Sequence, residues 1–353
     1  MERLQSLTFG EYTIDNCIFQ GGMSVRISGA ELTTAVTKCG GAGTIGGVGR
    51  GFGRKEYQNF SGQDADRLAL RDELQKAKDI DPDGIWGVNL LVAVTDYEGL
   101  VKTAVDNGTK FIVSGAGLPL NLPALTTDYP EIALIPIVSS VQGVRVICER
   151  WKRDHKRLPD AIIIEEPATA GGHLGAKFEH INDENLLLKN VIPESRRYLD
   201  ENKYNIPLIG AGGIWDRQNI DQILEYGASG VQMATRFVCT NECEAPIEFK
   251  QVYINSNETI IIRSPVGLPG RAIKTEFLER VKRDEIDDHC GVSCLHRCNL
   301  RDSGEDYCII QALSNVRDGD VKNGVVFAGS NAPRSKEQGI VPVRQIFDEL
   351  TNK

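Results

Sequence analysis

No stretch of this 353-residue chain approaches the roughly 20 consecutive apolar residues that cross a bilayer as a helix, so a helical membrane span is not expected. Low-complexity linkers and internal repeats are also missing, which argues against a disordered tether or a stacked-repeat architecture. Positive charge is outnumbered and scattered. The 40 Lys and Arg side chains stand against 49 Asp and Glu, giving a net charge of −9. A duplex nucleic-acid partner depends on clustered phosphate-neutralising cations, and none are gathered here. The opening MERLQSLTFGEYTIDN shows no charged leader followed by an apolar stretch, so the reading is a soluble, cytoplasmic protein.

The CxxC spacing of ordinary zinc sites is absent, although the chain holds nine cysteines. Nine is an odd number for a disulfide framework, and free thiols are expected without a secretory leader. Cys17, Cys39, Cys148, Cys239 and Cys243 sit in or beside apolar segments, whereas Cys290, Cys294, Cys298 and Cys308 crowd into nineteen polar residues. That last set offers four soft ligands, and thiolates select zinc or iron–sulfur clusters. The alternative is four free thiols in a polar loop.

What the chain has in excess is glycine: 36 residues, about 10% against a usual value of roughly 7%, with 12 of them between Gly10 and Gly53. Eight short apolar runs of strand length alternate with stretches of helical period: Cys17–Gln20, Gly43–Ile45, Ile85–Val92, Phe111–Ser114, Ile132–Val138, Ala161–Ile164, Ile206–Ile209 and Gly230–Met233. Helix ends are marked by Ser28 with Glu31 as a capping box, Ser61 and Asp216 as caps, and Gly108 and Gly227 as stops. Eight β/α units in about 235 residues predict a TIM (β/α)8 barrel, an α/β fold of typically about 250 residues, with an open doubly wound sheet as the alternative. After Thr235 the pattern changes. Tyr253–Arg263 reads as a strand, Arg271–Lys282 and Ile309–Val316 as helices, and Val341–Leu350 as a closing helix. The division expected is a barrel over 1–236, a smaller substrate-covering domain inserted after the eighth strand over 237–333 with the cysteine-rich segment 290–308, and a helix over 334–353 that returns to the barrel.

Barrel sites lie where strands end, so the residues after each run carry the chemistry. Gln20, Gly21, Gly22 and Met23 follow the first, and Asn89 lies in the third; glycines there admit a flat ligand. Gly212 and Gly213 after the seventh run, with Gln232, Met233, Ala234 and Thr235 ending the eighth, suit a phosphate held by backbone N–H groups. The sixth run leads into Glu165-Glu166-Pro167-Ala168-Thr169-Ala170-Gly171-Gly172-His173, which sets one histidine in a glycine-flanked loop at the same rim. His173 is the candidate for proton transfer or for binding a developing anion.

Gln20-Gly21-Gly22-Met23, the Gly40–Gly46 run, Gly87-Val88-Asn89, Ala170-Gly171-Gly172-His173, Ala211-Gly212-Gly213-Ile214, Gly230–Phe237 and Ser264–Ile273 together resemble the nitronate monooxygenases, or 2-nitropropane dioxygenase-like proteins, whose superfamily holds the flavin-dependent enoyl-acyl-carrier-protein reductases. The resemblance implies an FMN-containing barrel. Gln20, Gly21, Gly22, Met23 and Asn89 would lie along the flavin, Glu166, Gly171 and Gly172 near it, and Gly212, Gly213, Gln232, Met233, Ala234 and Thr235 at the ribityl phosphate. His173 matches the family's active-site histidine. The implied activity is oxidation of alkyl nitronates with oxygen; the alternatives are a C=C reductase of enoyl compounds fed by NAD(P)H, with an iron–sulfur cluster as an option, and a flavin-binding subunit of a larger assembly. The partner is a small-molecule substrate, a nitronate or an enoyl compound, and an oligomer is compatible. Departures from the family are Ala234 where glycine is usual, Pro167 and Thr169 for a glycine and a glutamate, and Arg26 where a small residue is usual, a cation that would favour an anionic substrate or a reduced flavin.

Overall fold

The computed structural model describes residues 4–351. Eight of its thirteen strands form one parallel sheet: β3 (Ile18–Gln20), β4 (Gly43–Gly46), β5 (Trp86–Leu91), β6 (Phe111–Gly115), β7 (Ala133–Val138), β8 (Ile162–Glu165), β10 (Leu208–Ala211) and β11 (Gly230–Met233). Their order is β3-β11-β10-β8-β7-β6-β5-β4. A parallel bridge between Phe19 and Ala42, with Gln20 N–H donating to Ala42 O at 2.9 Å, joins the two ends and closes a TIM barrel. All eight apolar runs become these strands. They are apolar on both faces because each is covered by the barrel interior on one side and by helices on the other; Ile162, Ile163 and Ile164 in β8 are all fully buried.

Ahead of the barrel, β1 (Leu7–Phe9) and β2 (Tyr12–Ile14) form a hairpin that plugs the N-terminal ends of the strands. Phe9 packs its ring 5.0 Å from Phe19 and 5.6 Å from Phe111, in tilted and edge-on arrangements that aromatic pairs favour. The opposite end is thereby the open one.

Helix ends follow the sequence in part. Ser61 Oγ accepts from Asp64 N–H and starts the helix Gly62–Ile80, and Asp216 forms a capping box with Asn219 at the head of Arg217–Glu225. Gly108 and Gly227 take the left-handed conformation expected at helix stops. Ser28 and Glu31 form no capping box. The helix Ala30–Thr37 begins at Gly29, its Ala30 N–H donates to Glu73 Oε1 at 2.6 Å, and Ser28 Oγ instead accepts from Met23 and Gly46 N–H groups.

Beyond β11 the chain forms an antiparallel sheet, β12 (Thr259–Arg263) against β13 (Pro269–Ile273), and β13 also pairs with β9 (Gly172–His173) from the barrel rim. Two boundaries differ from expectation. Tyr253 belongs to a helix, Ile247–Ile254, and only Thr259–Arg263 is strand; the Arg271–Lys282 segment divides into β13 and a helix, Glu276–Lys282. Ile309–Arg317 is helical, and Val343–Thr351 packs on the barrel helices Ala30–Thr37 and Arg217–Glu225.

Candidate active site

The open end of the barrel holds two chambers. An inner one of about 270 Å³ runs among the loops after β3, β8, β10 and β11, and an outer one of about 790 Å³ leads from it past the loop after β6 and the start of the helix Val141–His155. Glu165 and His173 line both, so they stand at the junction.

His173 owes its position to the inserted segment. Its backbone pairs with Gly270 of β13, its Nε2 lies 2.7 Å from Ser264 Oγ, and its ring meets Phe327 edge-on at 4.9 Å. Desolvation in this half-buried position pushes its pKa down to about 4, so the ring is neutral at physiological pH. Glu165, the last residue of β8, pairs in register with Ala211 of β10. Burial alone raises its carboxyl to about 7. The ordinary order of the two groups is inverted: the carboxyl, not the imidazole, keeps a proton near neutrality.

Most of the residues expected along a cofactor come together on the inner wall: Gly21, Gly22, Met23 and Asn89 on one side, Gly171 and Gly172 with His173 on another. Gly212, Gly213, Gln232, Met233, Ala234 and Thr235 line the same chamber. Two expected residues do not line it. Gln20 is fully buried below the rim, where its Oε1 accepts from Thr44 N–H at 3.0 Å. Glu166 turns the other way from Glu165, accepting from Thr169 Oγ1 at 3.0 Å and from Leu188 N–H at 2.9 Å at the head of the helix Leu188–Glu201. Arg26 is buried and its guanidinium pairs with Asp318 at 3.2 Å, so the cation expected at the flavin-facing loop is already neutralised.

Sequence reasoning missed a second contribution of the insertion. Gly329 N–H donates to Thr235 Oγ1 at 3.0 Å, Ser330 N–H to Thr169 O at 2.9 Å, and Asn331 Nδ2 to Gly213 O at 2.8 Å, laying this stretch across the loops after β8, β10 and β11. The short Gly-Ser-Asn run was the available signal. The four clustered cysteines form no disulfide, and their segment docks over the loop after β5 through Thr95 N–H to Cys294 O at 3.1 Å. Among the described residues no three His, Cys, Asp or Glu side chains are arranged to hold a metal ion.

A family model described as nitronate monooxygenase matches residues 5–353. The chain belongs to that family. Among curated relatives it is similar to a (3aS,4S,5R,7aS)-5-hydroxy-7a-methyl-1-oxo-octahydro-1H-indene-4-carboxyl-CoA dehydrogenase of Mycobacterium tuberculosis, 25% identical over 76% of this chain and 66% of that protein. It is also similar to a probable nitronate monooxygenase of Staphylococcus saprophyticus, 24% identical over 81% of this chain and 84% of the relative. The chain thus spans just under two thirds of the length of the first of these. Among solved structures, FabK from Thermotoga maritima superposes with a TM-score of 0.73 at 24% identity, covering 96% of this chain and 92% of FabK. Nitroalkane oxidase from Streptomyces ansochromogenes gives a TM-score of 0.71 at 17% identity, covering 96% and 95%. At such identities the superpositions speak for the barrel fold; family membership makes this member of the nitronate monooxygenases a flavin-dependent oxidoreductase.

Proposed function

We propose that this chain binds FMN in the inner chamber and reduces the C=C bond of an α,β-unsaturated acyl thioester, with NAD(P)H as electron donor. The observation that carries the choice of substrate is the two-chambered cavity. The outer chamber is large and includes Lys177, Arg263 and the half-exposed ring of Phe178 in its wall. That combination suits a long tail ending in phosphate groups, as on a coenzyme or carrier protein. A small nitronate would leave it unused.

The inner wall fits FMN. Gln232 Oε1 is buried with no hydrogen-bond partner and would accept from a flavin ring N–H. Gly212 and Gly213, both left-handed, and the facing Ala234 and Thr235 would turn backbone N–H groups toward the phosphate, under the cover of Gly329–Asn331. Bound FMN would take up and release a hydride equivalent. The chain's own part is to hold the thioester: His173, neutral and braced by Ser264, hydrogen-bonds the carbonyl oxygen, while Lys177 and Arg263 neutralise the tail.

Anaerobic protein loaded with FMN should be bleached by NADH or NADPH and recover its colour on addition of crotonyl-CoA. Bleaching without such recovery would sink this reading. The family match favours a second one, nitronate oxidation with oxygen. Oxygen uptake with propionate-3-nitronate, and no reaction with enoyl thioesters, would put it in first place.

A further inference from the structure

We propose that Glu165 is a catalytic residue of this site, the acid that delivers a proton to the substrate carbon next to the thioester carbonyl, while His173 holds the carbonyl oxygen. This rests on the thioester reading above.

Position comes first. Glu165 ends β8 at the junction of the two chambers, the one carboxylate among the described residues that lines both. Its neighbour Glu166, just past the end of β8, is spent on Thr169 and on the helix at Leu188. Among the described residues the Glu165 carboxyl has no hydrogen-bond or charge partner, and desolvation is what acts on it. A half-buried carboxyl without a partner is costly when ionised. The titratable and charged groups around the junction are His173 from β9, Tyr253 from the helix Ile247–Ile254, and Lys177, Glu179 and Arg263 farther out. Neutral His173 neither competes for the proton nor holds the carboxyl ionised.

The balance closes. Bound FMN would supply a hydride equivalent drawn from NAD(P)H, whose electron pair and hydrogen would make the new C–H bond at the β-carbon. As the C=C π bond breaks, its electrons take the Glu165 proton at the α-carbon. The carboxylate left behind regains a proton from water through the outer chamber. Removing a positioned acid of this kind typically costs roughly 10²- to 10⁴-fold in rate.

The test uses FMN-loaded wild type with the Glu165→Gln, Glu165→Asp and Glu165→Ala variants, each first shown to retain FMN and its visible spectrum. Reoxidation of the reduced flavin by crotonyl-CoA should slow roughly 10²- to 10⁴-fold in E165Q, recover in part in E165D, and be restored in part to E165A by added formate. The wild-type rate should fall as pH rises through about 7, where the carboxyl loses its proton. A readout free of turnover accompanies this. Infrared difference spectra should show a protonated-carboxyl band that titrates near neutral pH in wild type and is missing in E165Q. Wild-type reoxidation in E165Q, or a Glu165 already ionised at pH 6, overturns the proposal. If wild type ignores enoyl thioesters altogether, the substrate reading falls, while the infrared titration still decides whether Glu165 carries the proton.

Discussion

His173 Nε2 lies 2.7 Å from Ser264 Oγ, so a single hydrogen bond fastens the barrel rim to the inserted segment at the point where the two chambers meet. A side-chain hydrogen bond of this kind contributes about 0.5–1.5 kcal/mol net. Ser264→Ala should therefore lower kcat up to about tenfold by freeing the imidazole, with FMN affinity unchanged. Steady-state kinetics beside a flavin titration would check the split.

The inverted pair makes opposite contributions to stability with pH. The His173 pKa drops from 6.5 to about 4 on folding, so the stability it confers is present above 6.5 and is lost as pH falls toward 4. The Glu165 pKa rises from 4.5 to about 7, so stability is lost as pH climbs through that window. In apoprotein, E165Q should gain on wild type by up to about 3 kcal/mol at pH 8 and by little at pH 4. Urea unfolding midpoints at the two pH values would show it, and equal differences at both would contradict the assignment.

Arg50 is a buried cation that ties together the loops after β3 and β4, where its guanidinium also donates to Ser28 O and Gly46 O. Its guanidinium meets Glu73 at 2.5 Å and Glu244 at 3.7 Å, while Glu73 also receives the Ala30 N–H. Glu73→Leu leaves that charge with only the more distant partner, and the loss expected is roughly 3–5 kcal/mol. Arg50→Met combined with Glu73→Leu should recover much of it. Thermal unfolding of the two variants is the comparison.

Lys177 and Arg263 should act on the tail of the substrate alone. Replacing either with Ala should raise KM for a CoA thioester roughly three- to tenfold, the effect of about 1 kcal/mol, and leave KM for an N-acetylcysteamine thioester unchanged. Equal effects on both substrates would remove the outer chamber from tail recognition.

The barrel was legible because each of its strands is buried on both faces, which leaves an uninterrupted apolar run such as Ala161–Ile164 for the eye to find. After β11 the helices Ile309–Arg317 and Val343–Thr351 were legible, but the sheet was not, because it borrows β9 from the rim: a two-residue strand has no period, and only Asn255–Glu258 separates the helix Ile247–Ile254 from the strand Thr259–Arg263. At the end of β8 the sequence reading picked Glu166, whereas Glu165 lines the chamber and Glu166 is spent on a helix end. Arg26 could not be judged without Asp318, which lies 292 residues away.

Because β9 pairs with β13, the histidine that guards the junction is placed by residues that follow it by 91 positions or more, Ser264 being the first. At about 5–20 residues per second, the last barrel strand is made several seconds before the residues that roof the inner chamber. Until then the inner chamber lacks the cover of Phe327–Asn331, so the histidine and the roof of the site both depend on the last quarter of the chain.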